Sequence, residues 1–211
     1  MARNIRLNRV GRWGAAVACV AIALLSYRFA LFGVQESMAY MAHHLETGRV
    51  LFYAHIALAP VALAIVPFQL SSRLRRKLPA VHRWVGRLYV FVIFLSGIAG
   101  FRIAFNTAAG PVAASGFALL GVIWLGVTTM GLVHGIRRNF VQHRAWMLRS
   151  VALTFAAVTL RLYLGAVMSM GLPFEIFYPA IAWLCWVPNA VVMELYLRRR
   201  GTFDRKRMAA A

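Results

Sequence analysis

Residues 71–87 read SSRLRRKLPAVHRWVGR and form the most basic run of a chain in which 62% of the residues are hydrophobic. Residues 143–149 read HRAWMLR, with the same His-Arg pair, a Trp and a closing Arg. Each stretch follows one apolar segment and leads directly into another. We therefore predict that both are elbows between membrane helices, and we call residues 71–87 the first elbow and residues 143–149 the second elbow.

The composition around the elbows is that of a membrane protein. Soluble domains are about 45–50% apolar, whereas 62% of the residues of this chain are hydrophobic. Its mean hydropathy is accordingly high, at +0.69. Its net charge of +19 would suggest a nucleic-acid partner in a soluble protein, but the cations lie between long apolar runs instead of forming one face. The charge therefore indicates membrane topology, and we expect no nucleic-acid partner.

Six apolar stretches are long enough to cross a bilayer, whose core of about 30 Å needs roughly 20 residues of helix. They are residues 13–34, 51–70, 85–105, 115–136, 147–168 and 176–197. The first is too long for the apolar part of a signal peptide and lacks a small-residue cleavage site. We predict an all-α polytopic bundle of six transmembrane helices over residues 13–197, between a basic arm at 1–12 and a basic tail at 198–211.

The positions of the cations predict the orientation of this bundle, because short loops rich in Lys and Arg stay in the cytoplasm. All but four of the 24 Lys and Arg residues lie in the arm, in the tail and in two loops, at residues 71–87 and 135–149. The exceptions are Arg28, Arg49, Arg102 and Arg161. Both termini are therefore expected in the cytoplasm of a bacterium, with the chain in the inner membrane. Anionic lipid headgroups at that face are the expected partners of the basic segments, and a partner subunit or oligomer is a further option.

The elbows also predict the arrangement of the spans. Spans two and three form one hairpin around the first elbow and spans four and five form another, with His143 following His82 by 61 residues. This parallel indicates an internal repeat and a four-helix core of spans two to five, with the first and sixth spans at its edges. Span four also carries glycines at regular intervals, which is typical of a packing seam: Gly116, Gly121, Gly126 and Gly131.

Several ionisable or polar side chains fall inside the spans, where they are costly and usually have a role. His55 and Gln69 are fourteen residues apart in span two, so they lie about 40° apart around the helix and should share a face towards the bundle. Arg161 lies one to two turns inside the outer end of span five. It needs snorkelling room, an acidic partner such as Glu46 or Glu175, or a bound anion.

The pattern resembles a known family. His55 enters a span that ends Pro67-Phe68-Gln69, residues 74–89 read LRRKLPAVHRWVGRLY, and residues 143–150 read HRAWMLRS ahead of a deep Arg. Over about residues 50–165 this combination is similar to the bacterial membrane-protein family catalogued as domain of unknown function 2306. The resemblance implies a multi-pass inner-membrane protein and carries no activity and no catalytic residue.

Three interpretations of function stay open. The first is a redox protein that binds b-type haem or a quinone through histidines near the membrane faces, since neutral imidazole is an axial haem ligand. The candidate ligands are His82 with His143 as the best pair, His134, and His55, whose partner would have to come from the loop at His43 or His44. The second is a transporter or binding module for an anionic or lipidic small molecule, lined by Arg161, Arg102 and Gln69.

The third interpretation is a structural or assembly protein whose elbow arginines bind lipid headgroups or a partner subunit. No catalytic motif ties the chain to an enzymatic reaction, since GxSxG, GxxxxGK[ST], HExxH and CxxC are absent. A metal site at His43, His44 and Glu46 is disfavoured, because adjacent residues of a helix point to different sides. No metal is therefore expected.

Overall fold

The computed structural model describes the backbone of residues 9–209 and the side chains of residues 13–201. Most of the predicted basic arm, and the last two residues of the predicted tail, lie outside the described residues. The helices are α1 (Arg9–Ser26), α2 (Phe29–Ser37), α3 (His44–Thr47), α4 (Arg49–Leu70), α5 (Ser72–Lys77), α6 (Pro79–Ala104), α7 (Gly110–Ile136), α8 (Phe140–Thr154), α9 (Ala156–Ser169), α10 (Phe174–Leu184) and α11 (Val187–Ala209). The described chain contains no strand, so the all-α prediction is confirmed.

Five helical segments are long and apolar enough to cross a membrane: Arg49–Leu70, Pro79–Ala104, Gly110–Ile136, Phe140–Ser169 and Phe174–Gly201. They correspond to predicted spans two to six. Spans three and five begin several residues earlier than predicted, because α6 already begins at Pro79 within the first elbow and α8 begins at Phe140, ahead of the second elbow. The prediction that residues 143–149 connect two helices was therefore wrong, since they lie within α8 and the connection is at residues 137–139. Pro79 occupies the first turn of α6, where its missing N–H costs nothing, and the Asn139 side chain caps α8 by accepting from the Gln142 N–H.

The first predicted span, residues 13–34, is not one continuous helix. Its axis turns by 76° between Trp13–Ser26 and Phe29–Ser37, so only α1 and α2 taken together would count as a sixth span. The Tyr27 hydroxyl fixes the break by donating to the Ala57 carbonyl of α4 at 2.6 Å. Beyond it, Gly33 in α2 adopts a φ of +76°, a conformation that other residues rarely take.

The spans pack in the order that the two predicted hairpins require. Helix α4 packs against α6, α6 against α7, and α7 against α8, while α1 packs on α4 and α9, and the last span packs on α7, α9 and α8. The predicted core of spans two to five is therefore present. The peripheral spans also bury side chains in it, including Cys19 of α1 and Cys185 at the end of α10. Both cysteines are free and buried.

The glycines of span four do not form a single seam, and that prediction was wrong. A Cβ on Gly116 would meet Trp183 of α10, one on Gly121 would meet Phe101 of α6, and one on Gly131 would meet Met147 of α8. Residues five apart on a helix are rotated by about 140° from each other. The regular spacing therefore distributes the glycines around α7, where they admit three different neighbours.

Two ends of the bundle are used below as reference points. The elbow end carries the connections at residues 71–78 and 137–139, and the distal end carries those at residues 38–48, 105–109 and 170–173.

Candidate functional site

Three half-buried histidines lie at the elbow end: His82 on α6, His134 on α7 and His143 on α8. The Nδ1 of His143 is 2.7 Å from the Gly131 carbonyl oxygen of α7. The ring approaches so closely because Gly135 has no side chain, since a Cβ there would lie 2.9 Å from that same nitrogen. A carbonyl only accepts, so Nδ1 carries a proton, and in the neutral tautomer the lone pair is therefore on Nε2.

His82 lies close to His143, within range of an electrostatic interaction between the two rings. Its own Nδ1 is buried and has no hydrogen-bond partner, and the same is true of the Nδ1 of His134. The His82 carbonyl accepts a hydrogen bond from Gln69 Nε2 at 3.1 Å, which ties the end of α4 to the start of α6. The elbow end thus holds two buried imidazole nitrogens that the protein itself leaves unpaired.

The register between α6 and α8 is fixed two turns further into the bundle. The Tyr89 hydroxyl lies 3.1 Å from the Ser150 hydroxyl, and each of these residues follows its elbow histidine by seven positions. Seven residues are about two helical turns, or about 10.5 Å, so side chains seven apart point in nearly the same direction. His82 and His143 are therefore at matched depths on facing sides of the two helices.

A cluster of buried hydroxyls surrounds this contact, and the sequence reasoning missed it. Tyr89 also bonds Thr154 at 2.8 Å, Trp124 donates its indole N–H to Thr154 at 3.0 Å, and Thr128 bonds Ser150 at 2.7 Å. All five side chains are at most 7% exposed. The available signal was the four-residue spacing of polar side chains in two apolar spans, which places each pair on one helix face.

At the distal end His55 repeats the contact that His143 makes. Its Nδ1 lies 2.8 Å from the Ser96 carbonyl oxygen of α6, and a Cβ on Gly100 would lie 2.7 Å from that nitrogen. In both cases a histidine reaches a carbonyl four residues before a glycine on the neighbouring helix. Gln69 contacts α6 as well, so the predicted common face of His55 and Gln69 is confirmed.

The loop before α4 brings a further imidazole to His55. His44 is 3% exposed, and its Nδ1 has no hydrogen-bond partner. Burial, and then the neighbouring His43 and His55, lower the pKa of His44 to about 4, so the ring is neutral near pH 7. His43 lies further out, where its Nε2 accepts the Ala108 N–H at 3.3 Å. Of the two loop histidines, His44 is the one that the fold buries beside α4.

Arg161 lies half-buried in α9. Its Nη1 donates to the Ala157 carbonyl of its own helix at 3.1 Å, and neither Glu46 nor Glu175 pairs with it among the ion pairs of the described residues. Gln69 is at the elbow end of α4, whereas Arg161 is in the distal half. The structure therefore does not bring the predicted anion-binding residues together into one cavity, and Arg102 is exposed at the end of α6.

Two of the elbow arginines, Arg87 and Arg149, are engaged within the protein. Arg87 stacks on Trp84 and Arg149 on Trp146, each with 4.7 Å from the guanidinium carbon to the ring centroid. Arg149 also binds Glu194 of α11 through two hydrogen bonds of 2.9 and 2.7 Å. Glu194 also pairs with Arg198, one turn further along the same helix, at 3.3 Å.

A cavity of about 380 Å³ lies at the distal end, between the loop before α4 and the start of α10. Tyr40, which stacks on Phe174 at 3.8 Å between ring centroids, lines it together with His43, Glu175 and Tyr178. Across the described residues, no group of three or more His, Cys, Asp or Glu side chains is arranged to hold a metal ion.

A family model described as "Predicted membrane protein (DUF2306)" matches residues 52–197. The match includes the elbow histidines, His55 and Arg161, and it leaves out α1 and the loop that carries His44. It reaches further along the chain than the resemblance expected over residues 50–165. No curated protein and no solved structure matches the chain.

Proposed function

We propose, for a chain that belongs to the DUF2306 family of predicted membrane proteins, that the elbow end would bind b-type haem through His82 and His143. The haem would supply one-electron transfer in the membrane. The family description gives no activity, so the proposal rests on the side chains themselves. The observation that carries it is the His143 ring, whose Nδ1 is 2.7 Å from the Gly131 carbonyl. A histidine held in this way keeps its Nε2 available for a metal.

The residues present fit a haem better than a bare metal ion. Haem iron takes two imidazoles from a protein, and His82 and His143 are at matched depths on facing helices. The buried Nδ1 of His82 has no hydrogen-bond partner among the described residues, and a ligand bound at that nitrogen would satisfy it. A bare ion would need a larger set of ligands than the described residues bring together.

The protonation of His143 also separates haem from a quinone at this position. A quinone carbonyl accepts hydrogen bonds and would be recognised by an N–H. The Nδ1–H of His143 already donates to the Gly131 carbonyl, so in the neutral tautomer the Nε2 that remains is an acceptor. This favours an iron centre over a quinone oxygen as the partner of that nitrogen.

The protein would contribute orientation and a dry environment, while the haem would supply the one-electron chemistry. The bond to Gly131 raises the basicity of the ligating nitrogen and fixes the plane of the ring. Further inside, the hydroxyl cluster around Tyr89 is fully hydrogen-bonded within the bundle. It would therefore stabilise the two ligand-bearing helices in one register without presenting a competing ligand.

The test is a visible spectrum of the protein purified in mild detergent, oxidised and after dithionite reduction. We expect a Soret band and a sharp reduced α-band, both lost in the His82→Ala, His143→Ala double variant and retained in His43→Ala, which lies outside the family match. Size-exclusion and melting curves establish that each variant is folded. A colourless folded wild type, or a double variant with an unchanged spectrum, would refute the proposal.

The orientation is proposed from the same charge pattern that predicted the elbows. The elbow end would face the cytoplasm of a bacterium, with both termini on that side and elbow arginines near anionic headgroups of the inner membrane. Reporter fusions after Pro111 and Ala211 test this directly. An externally active fusion at Ala211 would reverse the orientation.

A further inference from the structure

Arg161 is a half-buried cation without a matching anion among the described residues. The guanidinium is held by one backbone carbonyl of its own helix, and no carboxylate among the described residues lies within 4.0 Å of it. Guanidinium groups have five N–H donors, so most of the hydrogen-bonding capacity of this side chain is left over. A charge at such a position is expensive unless something neutralises it.

A second cation makes the position more expensive. Arg28 lies at the break between α1 and α2, and α1 packs on α9, the helix that carries Arg161. The two positive charges are therefore near enough to repel each other. Arg28 is exposed on the outside of the bundle. Two guanidinium groups therefore converge on one region of the distal half, one from the surface and one from the interior.

The bend of the first span leaves this region open to lipid. Helix α1 packs on α9, but the chain turns by 76° at Tyr27 and Arg28 and its next aromatic side chain, Phe29, packs against Tyr53 of α4. Along α9, the residues that follow Arg161 are exposed, with Leu162 at 64% and Tyr163 at 37%. An amphiphile in the distal leaflet can thus approach Arg161 from the side.

We propose that Arg161 and Arg28 form a binding site for an anionic amphiphile, whose phosphate or carboxylate headgroup pairs with the two guanidinium groups while its chain lies along the exposed outer part of α9. Paired guanidinium groups suit both headgroups, because the planar fork of N–H donors matches two oxygens at once. The site uses no elbow histidine, so its test is independent of the test for haem binding.

The experiment measures the thermal stability of delipidated protein in neutral detergent against added lipid. The probes are phosphatidylglycerol for the phosphate, myristate for the carboxylate and diacylglycerol as the uncharged control. The variants are Arg161→Gln and, as a matched control, Arg102→Gln, which removes an exposed arginine at the same end of the bundle. Arg28→Gln tests the second cation and serves if Arg161→Gln fails to fold.

We expect the wild type and Arg102→Gln to be stabilised by at least one anionic probe and not by diacylglycerol. In Arg161→Gln the lipid concentration for the half-maximal shift should rise about tenfold or more, as expected for a lost charged hydrogen bond. The probe that acts identifies the headgroup. An unchanged response in Arg161→Gln, an equal loss in Arg102→Gln, or no response to either anionic probe would overturn the proposal.

Discussion

Substituting Gly100 by alanine should destabilise the protein, because that glycine makes room for His55. A Cβ at position 100 would lie 2.7 Å from Nδ1 and 2.9 Å from Cε1 of the imidazole, distances that real side chains do not tolerate. The ring cannot withdraw without lengthening its 2.8 Å hydrogen bond to the Ser96 carbonyl. The variant therefore either strains the α4–α6 interface or loses a buried bond.

The size of the effect follows from these two costs. Overpacking in a protein core costs about 1–3 kcal/mol, and a lost intramolecular hydrogen bond costs about 1 kcal/mol, so Gly100→Ala should lose about 1–3 kcal/mol by either route. Gly126 of α7 is the matched control, because nothing lies within 4 Å of its Cβ position. There, alanine should stabilise the helix by about 0.5–1 kcal/mol.

The assay is thermal unfolding in detergent followed by far-ultraviolet circular dichroism, with both variants and the wild type in the same buffer. A double-mutant cycle with His55→Ala isolates the contact, since Gly100→Ala should cost much less once the ring is gone. Gly100 does not serve to make room for His55 if Gly100→Ala unfolds at the same temperature as Gly126→Ala. The same conclusion follows if Gly100→Ala destabilises the protein equally with and without the His55 side chain.

Three further outcomes are expected. The pKa of His44 is lowered to about 4 in the folded protein, so between about pH 6.5 and 4 this imidazole binds a proton only in the unfolded chain. The free energy of unfolding should therefore decrease by at most about 3 kcal/mol as the pH falls through that window. His44→Phe should remove this pH dependence. Tyr89→Phe, which removes a hydroxyl with two buried partners, should cost about 1–2 kcal/mol, against nothing measurable for the exposed Tyr163→Phe. Glu194→Gln, which breaks the partly exposed bridge to Arg149, should cost about 1 kcal/mol or less and respond to salt.

The sequence was sufficient to predict the parts of the fold that depend on hydropathy and local spacing. Spans two to six, the four-helix core and the first elbow follow from apolar length and from the placement of Arg and Lys. The common face of His55 and Gln69 follows from helical geometry alone. The spans and the common face need no knowledge of which helices meet, and the core follows because spans joined by a short connection pack as neighbours.

Features that depend on a neighbouring helix were missed. The break at Arg28 is fixed by a hydrogen bond from the preceding tyrosine to α4, and apolar length does not reveal it. His44 reads as a loop residue until the loop folds back against α4. The hydroxyl cluster around Tyr89 is divided among three helices, and none of its members is conspicuous alone. In each case the deciding partner is distant in sequence.

The break in the first span also has a consequence for the surrounding lipid. Its straight apolar part, Trp13–Ser26, is about 21 Å long at 1.5 Å per residue, which is shorter than a hydrocarbon core of about 30 Å. Hydrophobic mismatch of this kind is relieved by thinning the bilayer or by tilting neighbouring lipids. The distal leaflet should therefore be thinned locally beside α1 and not around the rest of the bundle. The protein would then partition towards thinner membranes.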